Sequence, residues 1–203
     1  MERKNPEGLV DAFCKAFQNT RHAERVRLVL KIGDMHRPEH AARVEKLMRK
    51  AHGSGLVTCF DDRRLPREAM LQLIAESDCY VSLHRAEGFG YTLAEAMAYG
   101  VPAIASGYSG NLEYMTPDNS FLVPCEETFV KSPDGPFQRG STWGEPDIDA
   151  AAELMRQVVE HPSDARAAGE LGRMTVTEKL SAAAVAETLK LCFVSSFAEQ
   201  HAD

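Results

Sequence analysis

The sequence predicts an α/β protein built on a doubly wound parallel sheet. Three observations lead there. Short apolar runs rich in Val, Ile and Leu alternate with amphipathic helical stretches, and that alternation requires crossovers and therefore parallel strand pairing. The stretch Glu87–Pro102, EGFGYTLAEAMAYGVP, reads strand end, glycine loop, helix, the unit such sheets use at a ligand site. Hydrophobic residues make up 44% and charged residues 26% of the 203 positions, enough apolar side chain for a packed core.

The elements follow in order. Residues 5 to 18 predict a helix: Asn5 can cap it, Pro6 suits its first position, and Leu9, Val10, Phe13 and Phe17 share one face. Val26 to Ile32 predicts a buried strand. Pro38 to Ala51 predicts a charged helix with Val44, Leu47 and Met48 inward, stopped near Gly53. Leu56 to Phe60 predicts a short strand, Pro66 to Glu76 a helix, and Asp78 to His84 a strand. Thr92 to Tyr99 predicts a helix closed by Gly100, Val101 to Ser106 a strand, and Phe121 to Val123 a brief one. Residues 124 to 146 show no clear period and read as a long loop packed on the domain and pinned by Trp143. Helical signals resume at Asp147, with Ile148, Ala152, Met155 and Val159 inward, and two more helical stretches follow Ser163 and Ser181.

Composition excludes several classes. Lys and Arg total 23 against 30 Asp and Glu, a net charge of −7, which argues against a nucleic-acid or anionic-membrane surface. The five cysteines, Cys14, Cys59, Cys79, Cys125 and Cys192, are odd in number, scattered and without a CxxC pair. They read as free thiols in a reducing, cytoplasmic setting. The opening MERKNPEG is polar, and no apolar run reaches the ~20 residues of a membrane span.

In an open parallel sheet, ligands bind outside the carboxyl ends of the strands. Chemistry is therefore expected at Lys31 to Asp34, Phe60 to Arg64, His84 to Thr92 and Ser106 to Asn111. The third of these is the informative one. Gly88 and Gly90 flank Phe89 where the backbone must turn and leave room for a ligand. The helix starting near Tyr91 or Thr92 presents free amides and a partial positive charge, which attract phosphate. Two carboxylates frame the loop: Glu87 within it and Glu95, eight positions later, in the first helical turn. A carboxylate offers two acceptor oxygens, which suits the hydroxyls of a sugar or ribose. The plainer accounts are a solvated loop charge for Glu87 and a favourable helix-start charge for Glu95.

The stretch EGFG…LAEAMAYGVPAIAS resembles the E-x7-E motif of retaining glycosyltransferases of family 4, which have the two-Rossmann (GT-B) architecture. The segments RKNPEGLVDAFCKAF, DCYVSLHRAEGFG, SGYSGNLEYMTPDNSFLVP and STWGEPDIDAAAELMR extend the resemblance from the first residues to about Arg156. It implies the Rossmann-like C-terminal half of such an enzyme, the half that binds the nucleotide-sugar donor. Residues 1–162 are then the donor-binding domain, and 163–203 are helices packing on it or toward an acceptor domain absent from this chain.

The resemblance also implies roles. Glu87 would bond the sugar hydroxyls and Glu95 the ribose. The backbone around Gly88, Phe89, Gly90, Tyr91, Thr92 and Leu93 would meet sugar and diphosphate. Lys4 would neutralise the diphosphate as the glycosidic bond breaks, the catalytic task beside that of Glu87. The family's partner arginine stands several residues ahead of this lysine, whereas Arg3 adjoins it. A solvated terminus is the bland account of both. Lys31, His84 and Asn111 are further candidates for the donor pocket. For His84 a structural histidine satisfied by backbone stands equally open, and for the Ser109–Asn111 turn an ordinary helix cap. Asp147 and Asp149 spell D-x-D, but Asp147 reads as a helix cap and Asp61–Asp62 as a solvated loop, so no metal is expected and no cofactor beyond the nucleotide sugar as substrate.

Only four residues precede the cap of the first helix, too few for a strand of five or six, and the family's domain opens with a strand at that point. The expectation is a fragment lacking a central strand, inclined to self-associate. The leading function is donor binding in a retaining hexosyltransferase. The alternative is a non-catalytic nucleotide-sugar-binding remnant, and a generic binding domain is disfavoured by the Glu87/Glu95 pair. Partners would be the donor and, through the absent domain, a sugar or glycan acceptor, with no nucleic acid. The full enzyme would be cytoplasmic and peripheral to the inner membrane.

Overall fold

The computed structural model describes residues 2–32, 38–60, 65–133 and 136–199. The strand-end segments 33–37 and 61–64, with Asp34 and Asp61–Asp62, lie outside the described residues.

The first helix, α1 (Pro6–Phe17), begins where the sequence places it. Asn5 adopts a left-handed φ of 49° and its side chain accepts from the Gly8 amide, while Pro6 sits at the start, where a missing N–H costs nothing. Leu9, Val10, Phe13 and Phe17 are buried, and the rings of Phe13 and Phe17 meet edge-on at 4.9 Å. Strand β1 (Leu28–Lys31) pairs in parallel with β2 (Val57–Phe60). Between them a 3-10 turn over Pro38–His40 leads into α2 (Ala41–Ser54). This helix ends at Gly55, not near Gly53: Gly55 takes the left-handed φ of 68° that closes it, and Gly53 lies in the last turn.

Helix α3 (Arg67–Ala75) leads to β3 (Tyr80–Ser82), which pairs with β4 (Ala103–Ser106), which pairs with β5 (Phe121–Val123), all in parallel. Between β3 and β4 runs α4 (Tyr91–Ala98), with Gly100 just beyond it at φ 71°. Strands β1 to β4 are one to four residues shorter than the apolar runs suggest, and β5 has the predicted bounds. The α/β architecture thus consists of two parallel ladders, β1–β2 and β3–β4–β5. They share one core in which Leu28 and Leu30 join Leu83, Ile104 and Val123.

Residues 124 to 146 correct the sequence reading. They are not a long loop but an antiparallel hairpin, β6 (Cys125–Phe129) with β7 (Thr142–Pro146), in register from Cys125 opposite Pro146 to Phe129 opposite Thr142. Trp143 is buried in β7, grouped with Ala86, Val130 and Phe137. The signal is weak because β6 carries adjacent Glu126 and Glu127 and an exposed Phe129, so no strict alternation shows.

Asp147 caps α5 (Ile148–Glu160), accepting from the amides of Asp149 at 2.8 Å and Ala150 at 3.0 Å. Helix α5 packs on α1 and contributes Ala151, Ala152, Met155 and Val158 to the shared core. Helix α6 (Pro162–Lys179) packs on α4, where Gly169 rides so closely over the Gly100 carbonyl that a side chain would collide with it. Helix α7 (Ala182–Glu199) follows. Cys14, Cys79 and Cys125 are free and half-buried, and burial pushes the Cys79 thiol up to about 12. Among the described residues no helix is long and apolar enough to cross a membrane.

Candidate functional site

The site is built at the carboxyl end of β3. The chain leaves Ser82, passes Leu83 and His84, and turns through Arg85–Gly90 into α4. Gly90 is the residue before the helix, at φ 83°, and no side chain caps this end. A Cβ on Gly90 would stand 2.8 Å from the Tyr114 hydroxyl. That hydroxyl is committed to the loop: it lies 2.9 Å from the Phe89 carbonyl and 2.8 Å from that of Gly90. The Phe89 ring packs 5.0 Å from Tyr91 and 5.3 Å from Tyr114. Glycine is therefore required at 90 for conformation and for space, and the turn it makes opens the amides of Tyr91 and Thr92, which lack helical acceptors. Leu93 is buried and holds the first turn from behind.

A second turn braces this loop. The Gly110 amide donates to the Glu87 carbonyl at 3.0 Å, and the Glu87 amide donates to Ser109 Oγ at 3.0 Å. Gly110 passes so close to the Gly88 carbonyl that no side chain fits.

Residues 2–4 lie against the loop from the other end of the sequence. The Lys4 ammonium donates to Glu87 Oε2, and the Arg3 guanidinium lies 3.4 Å from the same oxygen while donating to the Ala86 carbonyl at 2.7 Å. Arg85 returns the contact, its amide donating to the Arg3 carbonyl at 2.7 Å and its guanidinium to that of Glu2 at 2.6 Å. Glu145 on β7 grips the same guanidinium through both its oxygens, at 2.5 and 2.7 Å, and the Trp143 ring lies 5.3 Å beneath it. Burial alone would raise the Glu87 pKa; the hydrogen bond and charge of Lys4, with Arg3, outweigh it and hold the carboxyl below its ordinary value.

Glu95 stands one turn into α4, not in its first turn as the motif suggests, because the helix starts at Tyr91. Its Oε1 receives Arg67 at 2.9 Å. Arg67 opens α3, and the sequence reading did not single it out; its only signal is its place just after a strand-end loop.

Of the other candidates, His84 is fully buried. Its Nδ1 lies 3.0 Å from Ser82 Oγ, and its Nε2 faces the Tyr108 carbonyl at 3.2 Å and Asn111 Oδ1 at 3.1 Å. Two acceptors at Nε2 place the ring proton there, and burial lowers the pKa of the imidazole. Asn111, also fully buried, donates its amide to the Ser106 carbonyl at 3.1 Å. His84 and Asn111 thus meet each other rather than Glu87 or Glu95. Lys31 is exposed at the end of β1, and among the described residues its ammonium makes no ion pair. A groove of about 910 Å³ runs alongside, lined by Glu2, Asn5, Arg43, Arg85, Trp143 and Glu145 among others; it includes neither Glu87 nor Glu95. Among the described residues no three His, Cys, Asp or Glu side chains group as a metal would need.

What the mouth offers is a glycine-bearing loop held by Tyr114 and Ser109, a positively polarised helix end, and two carboxylates each already held by a cation. It can receive phosphate on the amides and Lys4, and hydroxyls on the carboxylates.

The family described as glycosyl transferases group 1 matches this chain over residues 1–134. No curated protein matches it in sequence. Among solved structures, sucrose-phosphate synthase from Thermosynechococcus elongatus is 24% identical at a TM-score of 0.72, covering 98% of this chain and 44% of its own. HepE from Anabaena, solved with UDP-glucose, is 19% identical at 0.70, covering 96% and 46%. The C-terminal domain of a glycosyl transferase group 1 family protein, LpcC from Francisella tularensis, is 17% identical at 0.68, covering 90% and 82%. The chain spans under half the length of the first two.

Proposed function

The chain belongs to the glycosyl transferases group 1 family, and from that premise we propose that it binds the nucleoside diphosphate sugar donor of a retaining hexosyltransferase at the N-terminus of α4. The observation that carries the reading is the Lys4–Glu87 pair set against the Gly90 turn. It joins a cation, a carboxylate and a phosphate-seeking helix end at one mouth. HepE, whose structure was solved with UDP-glucose, has the same fold over this length.

In this reading the diphosphate lies on the Tyr91 and Thr92 amides with Lys4 beside it. As the bond to the anomeric carbon lengthens, negative charge grows on the leaving phosphate, where a preorganised cation and helix end stabilise it without rearrangement. Glu87 accepts from the sugar's hydroxyls and Glu95 from the ribose. Arg3 supports Lys4 in holding Glu87 ionised. Retention of configuration, a hexose as the sugar and a metal-free diphosphate belong to the same proposal. The acceptor is a sugar or glycan, bound mainly by polypeptide outside these 203 residues.

Calorimetric titration with UDP, GDP and ADP, with and without EDTA, tests the reading. Saturable binding of at least one diphosphate, unchanged by EDTA, is expected. If none binds, the donor assignment fails; if binding needs a divalent ion, the metal-free part fails.

A further inference from the structure

We propose that Arg67 is a positioning residue of the donor site, holding the Glu95 carboxylate in the orientation that receives the ribose hydroxyls. The inference rests on the ribose reading of Glu95 given above.

Each carboxylate at the mouth has its own cation from a distant segment. Lys4 serves Glu87, and Arg67, 28 positions before Glu95, serves the second. The two pairs are not alike. Arg67 is 72% exposed, whereas Glu95 is only 19% exposed. An ion pair with so exposed a partner adds little to folding stability. The guanidinium does, however, fix what it touches. A planar fork carries its donors in a rigid array, so docking one on Oε1 restricts the rotation of the Glu95 carboxylate. A carboxylate has about four lone-pair sites, and one contact to Arg67 leaves the rest for hydroxyl donors. Three rotatable bonds of a glutamate would otherwise have to be frozen when the ribose arrives, a cost that prior docking removes.

Arg67 reaches Glu95 from the neighbouring helix. It is the first residue of α3, the helix that follows the strand-end segment after β2, while Glu95 is on the helix that follows β3. The contact therefore ties the start of α3 to α4, on which α3 packs, and the charge of Arg67 offsets that of Glu95 before an anionic ligand enters.

The experiment compares whichever of UDP, GDP and ADP binds most tightly with its 2′,3′-dideoxy analogue. Their affinity ratio reads the hydroxyl contacts and is blind to phosphate attraction. Wild-type protein should prefer the ribose form, and Glu95→Gln should collapse that preference. Arg67→Gln should shrink it by about fivefold or more, the scale of a weakened charge-assisted hydrogen bond. Arg67→Lys should retain most of it, and Arg67→Gln should cost nothing further when added to Glu95→Gln. Thermal unfolding of each variant checks that the exposed substitution leaves the fold intact. If Arg67→Gln weakens both ligands equally, Arg67 is only a distant charge and the inference is overturned; an unchanged ratio overturns it too. If Glu95→Gln itself leaves the preference intact, the ribose reading has failed instead.

Discussion

Lys4 and Glu87 lie 83 positions apart and form an ion pair beside the Gly90 turn, with the Glu87 side chain only 14% exposed. A half-buried carboxylate would rather be protonated; the two cations of residues 3 and 4 keep it charged. The pair thus links the start of the chain to the α4 loop and leaves the loop ready for an anionic or hydroxylated ligand.

That linkage has a pH signature. The folded Glu87 pKa is depressed, so its contribution to stability is present above the ordinary carboxylate range and is lost as pH falls through the folded value. Lys4→Met should remove part of that contribution, about 1 kcal/mol or less given the exposed lysine. Urea unfolding from pH 3 to 7 should show the variant losing stability against wild type at pH 7 and converging with it at the acid end. A constant gap across the range would mean that Lys4 acts through packing.

His84 supplies a second limb at higher pH. Burial depresses its pKa, so the native state holds a neutral ring and resists protonation. Stability should then be full above the ordinary histidine range and fall as pH drops through it toward the folded value. His84→Gln, which can keep a hydrogen bond to Asn111, should flatten this limb while leaving the Glu87 limb lower down. An NMR titration showing the His84 ring charged in the native state at pH 6.5 would contradict the buried neutral tautomer.

Gly90 tests the loop itself. Alanine there must hold φ near 83° and meet the Tyr114 hydroxyl at 2.8 Å. Gly90→Ala should cost about 1–3 kcal/mol of stability, since strain and crowding act together. Tyr114→Phe leaves φ unchanged and removes the hydroxyl's hold on the Phe89 and Gly90 carbonyls, at about 1 kcal/mol. Combining the two should cost less than their sum, because the aromatic variant clears the oxygen from the alanine methyl. Denaturant midpoints give the answer, and strict additivity would mean that the hydroxyl does not crowd position 90.

How much of this could be read from the sequence follows from how local each signal is. Asn5 with Pro6, Gly100 after α4, and Asp147 before α5 are neighbours of what they cap, so each is visible in a few residues. The EGFG loop and the Glu87/Glu95 spacing are equally compact. The cations that hold those carboxylates are not: Lys4 was reachable only through family resemblance, and Arg67 reaches Glu95 from another helix. The bidentate hold of Glu145 on Arg85 was hidden for the same reason, and also because the hairpin carrying Glu145 read as loop. A two-stranded hairpin with adjacent glutamates has no period to see.

The carboxylates give the sharpest binding prediction. Glu95→Gln keeps the side chain's shape but replaces a charged acceptor by an amide, and hydrogen bonds to charged groups contribute about 1.5–3 kcal/mol. Nucleoside diphosphate affinity should fall tenfold or more. Glu87→Gln should mainly reduce the extra affinity that the sugar brings, measured as the ratio of nucleotide sugar to bare diphosphate. Equal affinities of wild type and Glu95→Gln for the diphosphate would remove the ribose assignment.

The last prediction concerns transfer. Glycosyl transfer requires the acceptor hydroxyl within about 3–3.5 Å of the anomeric carbon, because positioning supplies much of the rate. In the proposed reading the residues gathered at the α4 mouth serve phosphate, ribose and donor sugar, which leaves none of them to hold an acceptor in place. This chain alone should therefore bind a donor without transferring its sugar at a useful rate. Its surface points to association as well: Leu171 and Met174 on α6, with Val185, Leu189 and Leu191 on α7, are each 47–64% exposed. Large apolar side chains exposed on the packed helices α6 and α7 favour contact with a further surface. Light scattering should then give a mass above the monomer, and Met174→Lys with Leu189→Lys should lower it toward the monomer without weakening donor binding at the α4 mouth. Donor-turnover assays on the same samples complete the test: steady, acceptor-dependent transfer by a clean monomer would show that these residues suffice for catalysis.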